Sequence, residues 1–324
     1  MSKPILSAHN LVKHFHAGGF GANKKVVRAV DDVSFELAPG ETLGVVGESG
    51  CGKSTTARLL VQLLTPDSGS VRFNGKTVGT DLPLKDFRRQ VQMVFQDSFA
   101  SLNPRLTMID AIAFGPMVHG MSGPDATRKA QDLLERVGLD PVRFGGRYAH
   151  ELSGGQRQRV NIARALAFDP QVIVLDEAVS ALDKSVEAQV LNLLMDLRRE
   201  RGLTYVFISH DLNVVRHVSD RVMVMYLGEV AEIGPAGSLY SAPRHPYTEA
   251  LLAAMPSLDP DRRTLEAPLA GDPPNPIDPP PGCRFHTRCA RAFGACSKEA
   301  PVSFSVGAAH MSACHLNRKQ EGAL

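Results

Sequence analysis

The sequence contains no tryptophan, and only 6% of its 324 residues are aromatic. Proteins that bind single-stranded nucleic acid stack bases on aromatic side chains, so this scarcity weakens such a function. The charge is also nearly balanced, with 36 Lys and Arg against 34 Asp and Glu and a net charge of +2. That balance argues against a surface made mainly to bind polyanions, and we expect no nucleic acid among the partners.

Long apolar runs are missing as well. The longest, such as Val222–Leu227, have the length of a strand and fall far short of the about 18 residues that a membrane helix needs. Residues 1–4 lack the apolar core of a signal peptide. We therefore expect a cytosolic chain that reaches a membrane only through partners.

Short β-branched runs alternate with helical stretches, which predicts an α/β fold with a mostly parallel sheet. The predicted strands are Thr42–Val46, Val91–Phe95, Val172–Leu175, Tyr205–Ile208 and Val222–Tyr226. The predicted helices are Lys53–Leu64, Pro124–Val137, Gly155–Phe168, Ser185–Arg201 and a piece around Tyr247–Ala254.

Three further stretches organise the chain. Helical patterns dominate about residues 97–170 and predict a helical subdomain inserted into the α/β core. The Gly-rich stretch Ala17–Asn23 predicts a loop between two early strands. Seven prolines in Pro268–Pro281 predict a stiff linker, so we expect a core over 1–245 and a C-terminal region over 246–324.

The segment Gly47–Ser54, GESGCGKS, matches the phosphate-loop pattern G-x-x-x-x-G-K-[ST]. Glycines let successive N–H groups turn toward phosphate oxygens. Because a predicted strand precedes the segment and a predicted helix follows it, we do not regard the match to the pattern as accidental. Lys53 would reach the β- and γ-phosphates of ATP, and Ser54 would bind Mg²⁺. The predicted ATP contacts are Gly47, Glu48, Ser49, Gly50, Cys51, Gly52, Lys53, Ser54 and Thr55.

Cys51 lies inside this loop. It is either a modifiable thiol activated by Lys53 or a small residue that fits a tight turn, and we favour the second interpretation.

The apolar run Val172–Leu175 ends in two carboxylates, Asp176 and Glu177. Ends of parallel strands face the ligand crevice of an α/β sheet. Asp176 is therefore predicted to hold Mg²⁺, and Glu177 to polarise the attacking water as general base.

The pentapeptide Leu152–Gln156, LSGGQ, together with the phosphate loop, resembles ABC ATPases, which have a P-loop NTPase fold with an antiparallel β part. Taken alone, Ser-Gly-Gly would be an ordinary helix cap. The resemblance implies instead that these residues contact the ATP of an opposite subunit. The residues acting in trans would be Ser153, Gly154, Gly155, Gln156 and Asp183.

Further positions are similar to landmarks of the same family. Gln96 looks like the Q-loop glutamine that senses Mg²⁺, Ser180–Asp183 like the D-loop, and His210 like the switch histidine. Phe15 best matches the aromatic residue that stacks on adenine, with Phe20 as the alternative. Ala178 stands where the family commonly has proline, and we expect altered local stiffness with hydrolysis intact.

Four of the five cysteines form a C-x5-C-x6-C-x17-C pattern near the C-terminus: Cys283, Cys289, Cys296 and Cys314. Their spacing suits an iron–sulfur cluster or zinc, and metal-free thiols or disulfides remain open. The segment resembles the C-terminal region of oligopeptide/dipeptide transporter ATPases, and the resemblance implies a [4Fe–4S] cluster. His286 and His315 are spare ligands that we interpret as bystanders.

Together these patterns predict an ATP-hydrolysing subunit of an ABC importer for dipeptides, oligopeptides or similar nutrients. The resemblance implies a second ATPase subunit (a paralogue or a copy of itself), two transmembrane permease subunits and an extracytoplasmic solute-binding protein. It places the chain at the cytoplasmic face of the inner membrane. The alternatives are a nucleic-acid- or ribosome-associated ABC ATPase and a regulatory scaffold subunit.

Overall fold

The structure is a computed structural model that describes residues 3–17, 25–255, 271 and 274–318. The chain forms two compact units. The first unit comprises Met1–Ile5, Ala38–Thr42 and Phe73–Ser209, and the second unit comprises Leu6–Leu37, Leu43–Arg72 and His210–Leu324. The Gly-rich stretch after Ala17, with Phe20, and the first half of the proline-rich linker lie largely outside the described residues.

Strands in the described residues follow chain order. They are β1 (Leu6–Ala17), β2 (Lys25–Leu37), β3 (Thr42–Val46), β4 (Ser68–Phe73), β5 (Lys76–Thr77), β6 (Val91–Val94), β7 (Val172–Asp176), β8 (Thr204–Ile208), β9 (Arg221–Tyr226), β10 (Glu229–Pro235), β11 (Phe304–Gly307) and β12 (His310–Ser312).

Helices are labelled in the same way. They are α1 (Lys53–Leu60), α2 (Leu84–Gln90), α3 (Met108–Val118), α4 (Gly123–Arg136), α5 (Pro141–Phe144), α6 (Gly154–Leu166), α7 (Lys184–Arg201), α8 (Leu212–Val218), α9 (Ala236–Ser241) and α10 (Pro246–Ala253).

The first unit contains parallel strands and most of the helices. β7 pairs with β6 on one side and β8 on the other, both in parallel. Every residue of β7 and of β8 is buried, which explains their unbroken apolar, β-branched sequences. Residues 95–171, all described, hold α3 to α6 and no strand beyond an isolated bridge between Thr107 and Tyr148.

The second unit mixes strand directions. β3 and β9 are parallel, whereas β9 with β10, β10 with β12, and β1 with β2 are antiparallel. The predicted α/β class, with parallel strands and an antiparallel part, is confirmed. The C-terminal hairpin of β11 and β12 adds to this sheet through β10, a pairing that the sequence analysis did not predict.

Helix α1 ends four residues earlier than predicted. Gln62 has φ 56°, in the left-handed region, and the N–H of Leu63 bonds back to the carbonyl of Arg58. Such a turn closes a helix by satisfying its last carbonyls, and it overrides the apolar periodicity that continues to Leu64.

No helix within the described ranges combines the length and the apolar character needed to span a membrane.

A buried carboxylate joins three parts of the second unit. Glu232 on β10 accepts hydrogen bonds from the N–H groups of Arg244 and His245, at 2.8 and 2.9 Å. It also contacts Nε2 of His310 on β12 at 2.7 Å, and its side chain is fully buried. The C-terminal hairpin and the turn before α10 thus share one acceptor.

We predict that Glu232→Ala lowers the free energy of unfolding by about 3 kcal/mol, because buried donors lose their acceptor. Urea denaturation measures the change. Glu249→Ala, at a carboxylate whose side chain is 55% exposed, should change the free energy by less than about 0.5 kcal/mol. Equal small effects in both variants would contradict the prediction.

Candidate functional site

The phosphate loop follows the fully buried strand β3. A Cβ atom at Gly47 would lie 2.2 Å from the carbonyl oxygen of Met225, and one at Gly52 would lie 2.1 Å from that of Ala29. Gly52 also has φ 105°. The loop therefore packs backbone against backbone, and only glycine fits at these two positions.

Lys53 begins α1 and is buried beneath the loop, with 6% of its surface exposed. Its Nζ donates to the carbonyl oxygens of Gly47 at 2.8 Å and Glu48 at 3.0 Å. The ammonium group is thus held inside the loop, where it can face an incoming phosphate group.

Cys51 is buried at 3% exposure, and burial raises the pKa of its thiol although Lys53 acts in the opposite direction. A neutral, buried thiol is a poor nucleophile. This supports the interpretation of Cys51 as a small residue that fits the turn.

In the first unit, the two carboxylates at the end of β7 have different environments. Asp176 is 3% exposed, and Glu177 follows it with φ 47°, a conformation that is strained for a residue with a side chain. The N–H of Glu177 bonds to the carbonyl of Ile208 at 3.0 Å and holds this conformation. Gln96 Nε2 donates to Glu177 Oε2 at 2.9 Å, so the structure brings two of the predicted catalytic residues together.

The pentapeptide at the start of α6 is a helix cap with a second packing role. Ser153 Oγ accepts from the N–H of Gln156 at 3.3 Å, and Gln156 Oε1 accepts from the N–H of Ser153 at 2.9 Å. A Cβ atom at Gly155 would lie 2.3 Å from Cγ1 of Val186 on α7. Gly155 is therefore needed for helix packing as well as for the predicted phosphate contact.

The predicted D-loop connects Glu177 to α7. The N–H and Oγ of Ser180 donate to the carbonyl oxygen of Glu177, at 3.2 and 3.0 Å, and Asp183 precedes α7 as its N-cap residue. Asp183 is exposed, as the prediction of a contact to another subunit requires.

The remaining predicted ATP contacts are less constrained by the structure. Phe15 lies on β1 with 38% of its surface exposed, and Lys13 Nζ lies 5.9 Å from its ring centroid. His210 is exposed, two residues after β8. Phe20 lies outside the described residues. Their roles remain predictions.

The four C-terminal cysteines line one small cavity, together with His286 and His315 among others. All five cysteines of the chain are free in this structure. Burial raises the pKa of Cys283 to about 11 and also raises the pKa of Cys289 and Cys314. One ring nitrogen of each histidine contacts a backbone carbonyl oxygen: His286 Nδ1 contacts that of Cys283, and His315 Nε2 contacts that of Glu299.

The described residues contain no group of three or more His, Cys, Asp or Glu side chains with the arrangement of a metal site. The structure therefore does not support the expected [4Fe–4S] cluster, although the four thiols share one cavity.

Three residues near the phosphate loop were missed by the sequence analysis. Tyr247 on α10 and Arg288 both contact Glu48, and Arg284 pairs with Asp31 on β2. The partners are 199, 240 and 253 residues apart along the chain, and no motif marks them.

Comparison with known families gives two matches. Residues 30–180 match the family described as ABC transporter, and residues 231–296 match the oligopeptide/dipeptide transporter C-terminal region. A probable peptide ABC transporter ATP-binding protein of Sinorhizobium fredii is 51% identical over 98% of this chain and 91% of that protein. A putative oligopeptide transport ATP-binding protein of Bacillus subtilis is 48% identical over 98% and 97%.

Solved structures are similar over the greater part of the chain. The structure of cbiO1 from Clostridium perfringens, part of the ABC transporter complex cbiONQ, has a TM-score of 0.63 at 26% identity and covers 74% of this chain and 91% of that one. A dimeric ATP-binding cassette in a post-hydrolysis state, bound to ADP and phosphate, has a TM-score of 0.61 at 29% identity and covers 71% and 98%.

We predict that Gly52→Ala abolishes ATP binding, because the added methyl group collides with the Ala29 carbonyl and displaces the loop. Isothermal titration calorimetry with ATP measures the loss. The matched control is Gly202→Ala at the end of α7, where φ is 64° and a Cβ atom meets nothing within 4 Å. It should lower stability by about 1 kcal/mol and leave ATP binding unchanged. Normal binding by Gly52→Ala would contradict the prediction.

Proposed function

The chain belongs to the ATP-binding proteins of ABC transporters, and from this premise we propose how its residues bind and hydrolyse ATP. It is an ATP-binding, ATP-hydrolysing subunit of a peptide ABC importer. The hydrogen bond between Gln96 and Glu177 is the observation that best supports this mechanism. It orients the carboxylate of Glu177, which directly follows β7.

Phosphate binding is the task of the glycine-lined loop. Its backbone N–H groups would surround the β- and γ-phosphates of ATP, and Lys53 would neutralise part of their charge. The burial of Lys53 on the carbonyls of Gly47 and Glu48 supports this role, since the cation is already in place before the anion arrives. Phe15, an exposed residue near the end of β1, would stack on the adenine.

Magnesium would be held by Ser54, Gln96 and Asp176, and it would neutralise charge on the β- and γ-phosphates. The donor set fits a hard cation, because it consists of hydroxyl, amide and carboxylate oxygens. The almost complete burial of Asp176 at a strand end supports its assignment as a ligand.

Glu177 would polarise the attacking water as general base, and His210 would contact the γ-phosphate. The strained backbone of Glu177, fixed by Ile208 and Ser180, supports a preorganised base. Hydrolysis of this kind consists mainly of positioning and charge stabilisation.

A second ATPase subunit, identical or a paralogue, would complete each site head to tail. It would supply Ser153, Gly154, Gly155 and Gln156 to the γ-phosphate, with Asp183 at the subunit interface. Two transmembrane permease subunits and a solute-binding protein would complete the importer at the cytoplasmic face of the membrane. These partners would determine which peptide or similar nutrient is carried.

The proposed domain organisation is an ATPase core over 1–245, with a helical subdomain at about 97–170, and a C-terminal region over 246–324. The intact Glu177 and His210 favour an active ATPase over a regulatory scaffold. Near-neutral charge counts against a nucleic-acid-associated ABC ATPase.

We predict that Glu177→Gln retains ATP binding and lowers turnover at least about 100-fold, the usual contribution of a general base. Phosphate release by the chain assembled with its membrane partners measures turnover. The control Glu200→Gln, in the same unit with a side chain 62% exposed, should keep normal turnover. Near-normal hydrolysis by Glu177→Gln would rule out the assigned base.

For the four C-terminal thiols we propose a shared metal site that takes a [4Fe–4S] cluster. Their common cavity supports this, whereas their positions in this structure lack the arrangement of a metal centre. Because burial raises the pKa of Cys283, Cys289 and Cys314, metal binding must displace protons from neutral thiols.

Anaerobic purification followed by iron and sulfide assays and an ultraviolet–visible spectrum tests this site. We predict about four irons per chain, lost in Cys289→Ser and retained in Cys51→Ser. Stoichiometric zinc, or purified thiols without metal, would refute the cluster.

A further inference from the structure

The second residue of the phosphate loop is held by the C-terminal region through its side chain. Arg288 Nη1 lies 2.7 Å from Glu48 Oε2, and Arg288 Nη2 lies 3.1 Å from Glu48 Oε1. Only 5% of the Arg288 side chain and 23% of the Glu48 side chain are exposed. A two-point guanidinium–carboxylate pair of this kind fixes orientation as well as distance, and burial shields it from solvent.

The backbone of the same residue is held at a second point. The N–H of Glu48 donates to the hydroxyl oxygen of Tyr247 at 2.9 Å. Tyr247 is completely buried, with its ring 4.5 Å from that of Tyr226 and 5.3 Å from that of Phe285. The hydroxyl group therefore has little freedom to move away from the loop.

These contacts lead directly to the phosphate-binding lysine. The carbonyl oxygen of Glu48 accepts from Lys53 Nζ at 3.0 Å. Glu48 is thus held by Tyr247 at its N–H, by Arg288 at its side chain and by Lys53 at its carbonyl. A shift of this one residue would move the lysine.

The segment that carries Arg288 is itself anchored. Arg288 ends a short 3-10 turn, His286–Arg288, and Phe285 before it packs edge-on against Tyr226. Arg284 pairs with Asp31, and its Nε lies 2.9 Å from Glu229. The segment between Cys283 and Cys289 therefore contacts strands β2, β9 and β10.

The ion pair between Arg288 and Glu48 also affects the charge of the phosphate loop. A carboxylate in a loop that must accept the polyphosphate of ATP repels its ligand unless a cation neutralises it. Arg288 neutralises Glu48 from the side of the C-terminal region.

We propose that Arg288 and Tyr247 are positioning residues for ATP binding, through which the C-terminal region sets the shape and charge of the phosphate loop. This inference rests on the proposed assignment of Gly47–Ser54 as the ATP cradle. Both residues act on the loop through Glu48.

The test measures the dissociation constant for the non-hydrolysable analogue AMP-PNP with Mg²⁺, by titration calorimetry on the purified full-length chain. We expect about 10- to 100-fold weaker binding for Arg288→Gln, the scale of a displaced binding group. Arg288→Lys should recover part of the loss, because an ammonium group keeps the charge and one contact. The double variant with Glu48→Gln should bind no more weakly than Arg288→Gln, since both changes break one interaction.

Tyr247→Phe keeps the buried ring and removes only the hydroxyl group, so it remains decisive if Arg288→Gln fails to fold. Its expected effect is about 2- to 10-fold weaker binding, the scale of one hydrogen bond, with a melting temperature within about 4 °C of that of the wild-type chain. The matched control is Glu249→Gln, which breaks an Arg–Glu pair of the same region whose side chains are 52% and 55% exposed. It should bind AMP-PNP like the wild-type chain.

The inference is wrong if Tyr247→Phe, and Arg288→Gln where it folds, bind AMP-PNP within twofold of the wild-type chain. It is also wrong if the losses of binding free energy for Glu48→Gln and Arg288→Gln add fully in the double variant. Lys53→Ala separates this failure from that of the proposed site. If Lys53→Ala abolishes binding while the positioning variants are normal, the cradle stands and the inference falls. If Lys53→Ala binds normally, the assignment of the cradle is wrong.

Discussion

In the second unit, the shape of the phosphate loop depends on close contact between its backbone and the backbone of neighbouring segments. Gly47 and Gly52 approach the carbonyl oxygens of Met225 and Ala29 so closely that no side chain fits between them. The N–H of Gly228 also bonds to the carbonyl of Cys51. The backbone of β2 and of the turn after β9 therefore packs directly against the loop. The shape that receives phosphate is set by these neighbours as much as by the loop's own sequence.

The first unit meets a similar requirement by a different route. Glu177 must point its carboxylate away from a fully buried strand, and it does so by adopting a positive φ. Such a conformation costs about 1 to 3 kcal/mol and persists only where surrounding bonds fix it. Ile208, Ser180 and Gln96 provide those bonds, and the same set carries the predicted Q-loop and D-loop. The bonds that hold Glu177 in its strained conformation are therefore the same bonds that position it as the proposed base.

The sequence predicted best what local chemistry dictates. The glycines and lysine of the phosphate loop follow from the needs of an anion-binding turn, and the buried strands follow from unbroken apolar runs. The end of α1 was misjudged because a left-handed Gln62 closes the helix against its apolar periodicity. The pairing of β12 with β10 could not be predicted, because it joins segments about 80 residues apart and β12, with three residues, is too short to show a periodic signal.

Tyr247 and Arg288 show the same limit at the candidate site. In the sequence, Tyr247 belongs to a short helix and Arg288 lies between two cysteines, so each has a local explanation that hides its contact with Glu48. A carboxylate inside an anion-binding loop is unfavourable in isolation, and its presence becomes intelligible only with a buried arginine against it. Arginine suits this place better than lysine, because its planar group meets both carboxylate oxygens and so fixes direction as well as charge. The C-terminal region therefore supports the phosphate loop directly, and a change in the fold between Cys283 and Cys289 would reach the loop through the Arg288–Glu48 ion pair and through the packing of Phe285 on Tyr247.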